Sequence, residues 1–266
     1  MITTLLASKQ CFTIKFAMPR YFLEISYKGT RYSGFQVQHN ANTIQAEVEK
    51  AFKILQKNSI IMTGSSRTDA GVHALQNFFQ FDYDGIIHPH FVYKMNAILP
   101  NDIVVKKLIP VLPDAHCRFD AISRVYNYYI YNHKNPFLRE KAFYFPYKLD
   151  INKLKQAAAI VKEYDDFTSF SKRNTQVKSF VCNVTSSEWV FESDCLVYNV
   201  KANRFLRGMV RALVATMLQV ARGKINIGEF QSVIEAKDCT KVSFAVPAHG
   251  LFLVSVNYPV NYFDIL

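Results

Sequence analysis

The chain of 266 residues is poor in cysteine, and its five cysteines are scattered and odd in number. No two of them stand in a C-x-x-C spacing, which argues against both a disulfide framework and a zinc site. The thiols therefore favour a reducing, cytoplasmic location in which they are buried or incidental. They are Cys11, Cys117, Cys182, Cys195 and Cys239.

Long apolar runs are also missing, although half of the residues are hydrophobic. A membrane-spanning helix needs about 20 consecutive apolar residues, and no stretch approaches that length. The phosphate-binding pattern G-x-x-x-x-G-K-[ST] and the nucleophile pattern G-x-S-x-G do not occur either. We therefore expect no membrane association, and a chemistry that needs neither a nucleotide cofactor nor a metal.

Acidic residues are comparatively few. The chain has 21 of them against 32 basic residues, which gives a formal net charge of +11. Such an excess attracts polyanions, and nucleic acid is the favoured partner because no amphipathic membrane anchor accompanies the charge. The alternative at this point is an ordinary soluble protein that happens to be basic.

The first 17 residues lack the basic start and the clean cleavage site of a signal peptide. Met18 directly precedes a strong strand pattern. We therefore interpret residues 1–17 as a loose N-terminal extension and Met18 as the natural start. A tight packing of residues 1–12 against the fold would contradict this interpretation.

After Met18, the first half of the chain alternates strand and helix patterns. Apolar residues alternate from Arg20 to Tyr27, as in a strand with one buried face. A helical pattern runs from about 42 to 55, which Asn42 can cap with Gln45 in capping-box spacing. The remaining segments complete the order strand, helix, strand, strand, helix, strand, typical of ferredoxin-like domains. They are strands near 60–63, 77–83 and 102–111, and a helix between Pro89 and Pro100.

The second half repeats this style more loosely. We expect an α+β fold of two ferredoxin-like or RRM-like units, with mostly antiparallel sheets that face a shared active-site cleft. The predicted N-terminal domain, which carries the catalytic loop, covers residues 18–112, and the predicted C-terminal domain covers residues 113–266. Strands are predicted near 117–132, 179–191, 195–202 and 251–258, and helices near 150–162, 205–222 and 226–236.

The densest candidate site is the segment Gly64-Ser-Ser-Arg-Thr-Asp-Ala-Gly-Val-His73. Its T-D-A-G core favours a tight turn, because Asp accepts backbone hydrogen bonds and Gly tolerates a positive φ. Such a turn would fix the carboxylate of Asp69 in place, with Arg67 two residues away. A hairpin turn with a purely structural aspartate is the alternative, and the spacing alone does not name a reaction.

Arginines recur between Asn203 and Arg211. If the predicted helix includes them, Arg204, Arg207 and Arg211 lie on one narrow stripe beside a separate apolar face. An arginine row next to a buried face can bind phosphates or pair with a carboxylate. The alternative is a solvent-exposed helix flank without a ligand.

Basic and aromatic residues interleave between Arg118 and Tyr131. On a strand, Arg124, Tyr126 and Tyr128 share one face, and aromatic rings beside basic side chains suit a base that has left its stack. Tyrosines that simply pack a β-sheet core are the alternative, and the commoner case.

Together these segments resemble the tRNA pseudouridine synthase A family from about Met18 to Pro259, in the family's order. Arg67-Thr-Asp-Ala-Gly-Val-His73 is the most specific match. Several ordered motifs would not coincide by chance. The supporting segments are Tyr32–Gln38, Arg118–Ala121 with Arg124-x-Tyr126, Asp166–Phe170, Asn203–Arg211 and Pro247–Val254.

This resemblance implies an isomerase that needs no cofactor and converts uridine to pseudouridine. Its substrate would be the anticodon stem-loop of tRNA, at positions 38 to 40, and it would act as a homodimer. Asp69 would be the catalytic aspartate. The other site residues implied or proposed are Tyr126 (stacking on the base), Arg211 (pairing with Asp69), Arg67 (base flipping and backbone contact), Leu251 (an apolar pocket), and Arg204 and Arg207 (phosphate contacts).

Three departures from the family's pattern occur at Ser65-Ser66, at Gly208 and at Ser243–Val246. They replace, respectively, small residues of the loop, a usually polar or basic residue, and a Gly-Pro-Thr-Ala segment. Two other functions stay open at this stage. A non-catalytic RNA-binding protein, such as a tRNA chaperone, would not need Asp69, and a glycosidase-like hydrolase would need a second carboxylate that these motifs lack.

Overall fold

The computed structural model describes residues 18–173 and 177–264, so the predicted extension of residues 1–17 and Cys11 lie outside it. Within the described residues, five α-helices accompany a largely antiparallel sheet of nine strands. The predicted α+β class is therefore confirmed. In the same part of the chain, no helix combines the length and the apolar character that crossing a membrane would require.

The strands and helices follow the alternating and helical patterns of the sequence. The strands are β1 (Arg20–Tyr27), β2 (Thr63–Gly64), β3 (His73–Asp82), β4 (Ile103–Val111), β5 (Ser123–Tyr131), β6 (Phe143–Tyr144), β7 (Val184–Glu192), β8 (Cys195–Ala202) and β9 (Leu251–Asn257). The helices are α1 (Ile44–Gln56), α2 (Phe91–Ile98), α3 (Ile151–Val161), α4 (Met209–Ala221) and α5 (Ile227–Glu235).

One sheet contains strands from both halves of the chain, in the order β4-β1-β3-β9-β5-β8-β7, with β2 beside β3 and β6 beside β5. The halves join where β3 and β9 pair in parallel, with His73 opposite Phe252. The predicted pair of separate sheets that face a cleft is therefore not confirmed. This pairing uses backbone groups that would otherwise remain open at the edges of β3 and β9.

Helix α4 is almost entirely inside the protein. Of its 13 residues, only Arg211 and Gln219 are not buried. Its apolar side chains belong to the main hydrophobic core, together with fully buried aromatic residues of the sheet such as Tyr128 and Tyr198. A charged side chain on such a helix requires a polar partner, because an unpaired buried charge is costly.

Two predicted helix starts are wrong. Thr43, not Asn42, caps α1, since its Oγ1 accepts from the Ala46 N–H at 3.3 Å, while the Asn42 carbonyl accepts from Ser33 in the preceding loop. Helix α4 begins at Met209 rather than near 205, because Gly208 adopts a left-handed φ of 77°. Helices seldom continue through such a residue.

Candidate active site

Asp69 lies in the loop between β2 and β3, and the segment Tyr32–Phe35 supports this loop from one side. The Phe35 N–H donates to the carbonyl of Thr68 at 3.1 Å, and the Gly71 N–H donates to that of Tyr32 at 3.3 Å. Gly34 makes this close approach possible. It has φ 108°, and a Cβ there would lie 3.2 Å from the Thr68 carbonyl oxygen.

A buried polar network supports the loop from the other side. The hydroxyls of Tyr27 and Thr68 are 2.8 Å apart, and Asn77 Nδ2 donates to the Ser66 carbonyl at 2.8 Å. Ser65, where the sequence departs from the family, donates to Asn77 Oδ1 at 2.8 Å. The backbone around Asp69 is therefore fixed on both sides, which limits the positions available to its carboxylate.

Arg211, which projects from α4, lies beside the carboxylate of Asp69. Its Nε donates to the Val246 carbonyl at 2.8 Å and its Nη2 to the Phe244 carbonyl at 3.0 Å. The remaining nitrogen, Nη1, lies 3.8 Å from Asp69 Oδ2. This is an ion pair without a direct hydrogen bond, between side chains that are only 15% and 27% exposed. The two charged groups therefore face each other in a partly buried site.

Tyr126 of β5 is buried near the same carboxylate. Its ring meets that of Phe205 edge to face, with centroids 5.0 Å apart. Burial raises the pKa of the Tyr126 phenol, and the negative charges of Tyr27 and Asp69 make smaller contributions in the same direction. Leu251, also buried, starts β9 and lies opposite Tyr128 on the neighbouring β5.

The predicted stripe of arginines does not exist as a helix face, because Arg204 and Arg207 precede α4. The side chains of these two arginines lie in different surroundings. The positive charge of Arg204 acts on Arg118, as does that of Arg67. Arg207 instead lines an open depression of about 480 Å³ with Lys172 and Arg173. Lys172 and Arg173 were not among the residues predicted from the sequence, where their signal is their adjacency shortly after the Asp166–Phe170 segment.

His73, the last residue of the loop motif, is buried and uncharged. Its Nδ1 accepts from the Gly29 N–H at 3.0 Å, so its Nε2 carries the proton and donates to the Glu140 carbonyl at 3.0 Å. Burial lowers the pKa of His73 to about 4. Both ring nitrogens have backbone partners, which makes His73 a structural residue rather than an acid or base.

Comparison with known proteins identifies the family. The family model described as tRNA pseudouridine synthase matches residues 25–120 and 163–259, which is most of the chain. The chain belongs to the tRNA pseudouridine synthase family. The matched segments contain Asp69, Arg67, Arg118 and Arg211, although not Tyr126.

Curated relatives of this synthase carry the same activity in their names. A protein of Parabacteroides distasonis named tRNA pseudouridine synthase A is 44% identical over 93% of this chain and 99% of its own length. Proteins of the same name from Bacteroides fragilis and Staphylococcus aureus are 41% and 37% identical, covering 93% and 91% of this chain and 100% and 92% of their own lengths. The synthase is thus an isomerase that forms pseudouridine in tRNA.

Proposed function

We propose that the synthase isomerises uridines at positions 38 to 40 in the anticodon stem-loop of tRNA, with the carboxylate of Asp69 as nucleophile or base. The observation that carries this proposal is the partly buried ion pair between Asp69 and Arg211, whose charged atoms lie 3.8 Å apart. The charge of Asp69 also acts on the buried phenol of Tyr126. A single carboxylate, a fixed cation and an aromatic ring are the groups that this reaction needs.

The reaction breaks the bond between N1 of uracil and C1′ of ribose, turns the base, and forms a bond between C5 and C1′. N1 gains a proton and C5 loses one, so the product is an isomer of the substrate. Asp69 either attacks C1′ to form a covalent sugar ester or removes the 2′ proton to give a glycal. In both routes Arg211 holds the carboxylate in its attacking position.

A uridine in or beside a stem must leave its stack, at a cost of a few kcal/mol. In our proposal Tyr126 stacks on the extruded base, which contributes on the order of 1–3 kcal/mol, and Leu251 lines the apolar side of the base pocket. Arg67, two residues before Asp69, contacts the RNA backbone at the flipped nucleotide. Arg204 and Arg207 contact further phosphates and so offset the cost of flipping.

The family resemblance also supports a homodimer in the cytoplasm. We propose that two copies act together on tRNA, and light scattering on the purified protein measures this directly. A monomer at the concentrations used for activity would contradict this part of the proposal without affecting the assignment of Asp69.

Tritium release tests the chemistry. A tRNA transcript labelled with tritium at uracil C5 loses label only where C5 becomes the new attachment point. We expect release by the wild-type enzyme and by Asp84→Asn, which alters an exposed carboxylate outside the site, and none by Asp69→Asn. Asp69→Asn should still bind tRNA nearly as tightly. Release by Asp69→Asn, or modification confined to nucleotides outside 38 to 40, would contradict the proposal.

Deuterium at C2′ of the target uridine distinguishes the two routes. The glycal route breaks the C2′–H bond, so a primary isotope effect on product formation supports Asp69 as the base. A rate that does not change with deuterium supports Asp69 as the nucleophile. The measurement needs a step limited by chemistry, which single-turnover conditions provide.

A further inference from the structure

Arg124 is a buried arginine that has no carboxylate partner among the residues that the structure describes. It is only 9% exposed, and burial lowers the pKa of its guanidinium. Its nitrogens donate instead to backbone carbonyls. Nη1 contacts the carbonyls of Ala121 at 2.9 Å and Asn203 at 2.8 Å, and Nη2 contacts that of Arg118 at 2.7 Å. Its Nε lies 3.5 Å from Ser66 Oγ.

These contacts join three segments that are far apart in the chain. Ser66 immediately precedes Arg67 in the Asp69 loop, and Asn203 immediately precedes Arg204 in the loop before α4. The third acceptor belongs to Arg118 itself, which lies between β4 and β5. One guanidinium group therefore bridges three segments, each with an arginine, through the backbone carbonyls of two of them and the Ser66 hydroxyl of the third.

The three arginines also share one electrostatic environment. Burial is the largest cause that lowers the pKa of Arg118, and the positive charges of Arg67 and Arg204 lower it further. Across residues 18–173 and 177–264, no ion pair involves Arg67, Arg118, Arg124 or Arg204. Like charges on segments that Arg124 bridges, none of them in one of these ion pairs, repel one another and favour the binding of an anion.

We propose that Arg67, Arg118 and Arg204 together bind the phosphate backbone of tRNA as one site, and that Arg124 is the positioning residue of that site. The anion is a phosphodiester rather than a partner protein's carboxylate, because tRNA is the substrate of this family and guanidinium groups match phosphate oxygens in a two-pronged geometry. Arg67 lies two residues from Asp69, so the bound phosphates flank the nucleotide that reacts. This inference deepens the proposed function and rests on it for the position of the target.

The salt dependence of tRNA binding tests the site. Each phosphate contact contributes roughly one unit to the slope of log Kd against log salt concentration. With an unmodified tRNA transcript, Arg118→Ala should reduce this slope by about one unit and raise Kd about tenfold. Lys155→Ala, which removes an exposed charge from α3, serves as the control and should change both values much less.

Arg124→Lys separates positioning from charge. Lysine keeps the positive charge, but its single amino group cannot reach the carbonyls of Arg118, Ala121 and Asn203 and the Ser66 hydroxyl at once. The slope and Kd should therefore change in the same direction as in Arg118→Ala. The double variant Arg118→Ala/Arg124→Lys should then show less than the sum of the two effects. A merely structural role would lower the unfolding temperature and leave the salt slope of the folded protein unchanged.

The test of the phosphate site does not require Arg124→Lys to fold, because Arg118→Ala provides it. A wild-type salt slope for Arg118→Ala overturns the phosphate site, and a wild-type slope for folded Arg124→Lys overturns the positioning role. Failure of the proposed function looks different. In that case the wild-type protein releases no tritium from C5, whereas binding of the same transcript still depends on salt and on Arg118.

Discussion

Nη1 of Arg211 lies 3.8 Å from Oδ2 of Asp69, and the other two nitrogens of the same guanidinium are bound to the carbonyls of Phe244 and Val246. Two backbone carbonyls of the segment that leads into β9 thus hold the guanidinium of Arg211, and its third nitrogen faces the carboxylate. The arrangement fixes the cation independently of its partner. A side chain that only balanced the charge of Asp69 would not need these two backbone contacts.

Arg211→Lys should therefore reduce kcat on the order of 100-fold with little change in tRNA affinity, because lysine cannot occupy both carbonyls and still face Asp69. The variant should also unfold about 1–3 kcal/mol more easily, since buried carbonyls lose their donors. Arg222→Lys, at the other end of α4, is the control. Single-turnover kinetics measure the first effect, and an unchanged kcat would contradict the positioning role.

Arg204→Ala and Arg207→Ala should each weaken tRNA binding and flatten its salt dependence by roughly one unit. Since Arg204 acts beside Arg118 and Arg207 lines the depression with Lys172, the two effects should add in the double variant. Filter binding over a series of salt concentrations measures both slopes. An unchanged slope in either variant means that its side chain does not touch the RNA backbone.

Much of this architecture could be predicted from the sequence, because strands with one buried face and amphipathic helices leave periodic patterns. The parallel pairing of His73 with Phe252 could not, since it joins two short segments far apart in the chain that carry no common local signal. It is this pairing that turns two expected sheets into one. Local patterns predict elements well, but not which edges meet.

The candidate site was predictable in part for a similar reason. The order of the motifs indicated that Asp69, Arg211 and the strand of Tyr126 belong together, and the structure places Arg211 3.8 Å from Asp69. The different positions of Arg204 and Arg207 outside α4 were not predictable, because they depend on the left-handed φ of 77° at Gly208. A glycine in the sequence does not reveal whether it continues a helix or precedes its first turn.

Gly34→Ala should reduce both stability and turnover. Gly34 has φ 108°, and an added Cβ would lie 3.2 Å from the Thr68 carbonyl, next to Asp69. Gly223→Ala is a matched control, since Gly223 also has a positive φ, 69°, but no atom within 4 Å of the added Cβ. Backbone strain costs about 1–2 kcal/mol in both variants, and the close contact with the Thr68 carbonyl adds to it in Gly34→Ala, so chemical unfolding should show the larger loss there. Only Gly34→Ala should also lower kcat, and equal kcat values for the two variants would mean that crowding at Thr68 does not move Asp69.

His73 should make the folded protein less stable in mild acid. Burial lowers its pKa from 6.5 to about 4, so the unfolded chain binds a proton that the folded protein does not bind between these two pH values. The contribution of His73 to stability is therefore fully present above pH 6.5 and is lost as the pH falls towards 4, by on the order of 3 kcal/mol.

In His73→Gln, which keeps a donor and an acceptor but does not titrate, the free energy of unfolding should fall less between pH 7 and pH 4.5 than in the wild-type protein. Urea unfolding at several pH values measures the difference, with His133→Gln at an exposed position as the control. If the wild-type and His73→Gln curves run parallel across this range, His73 is protonated as easily in the folded protein as in the unfolded chain, and burial does not keep the ring neutral.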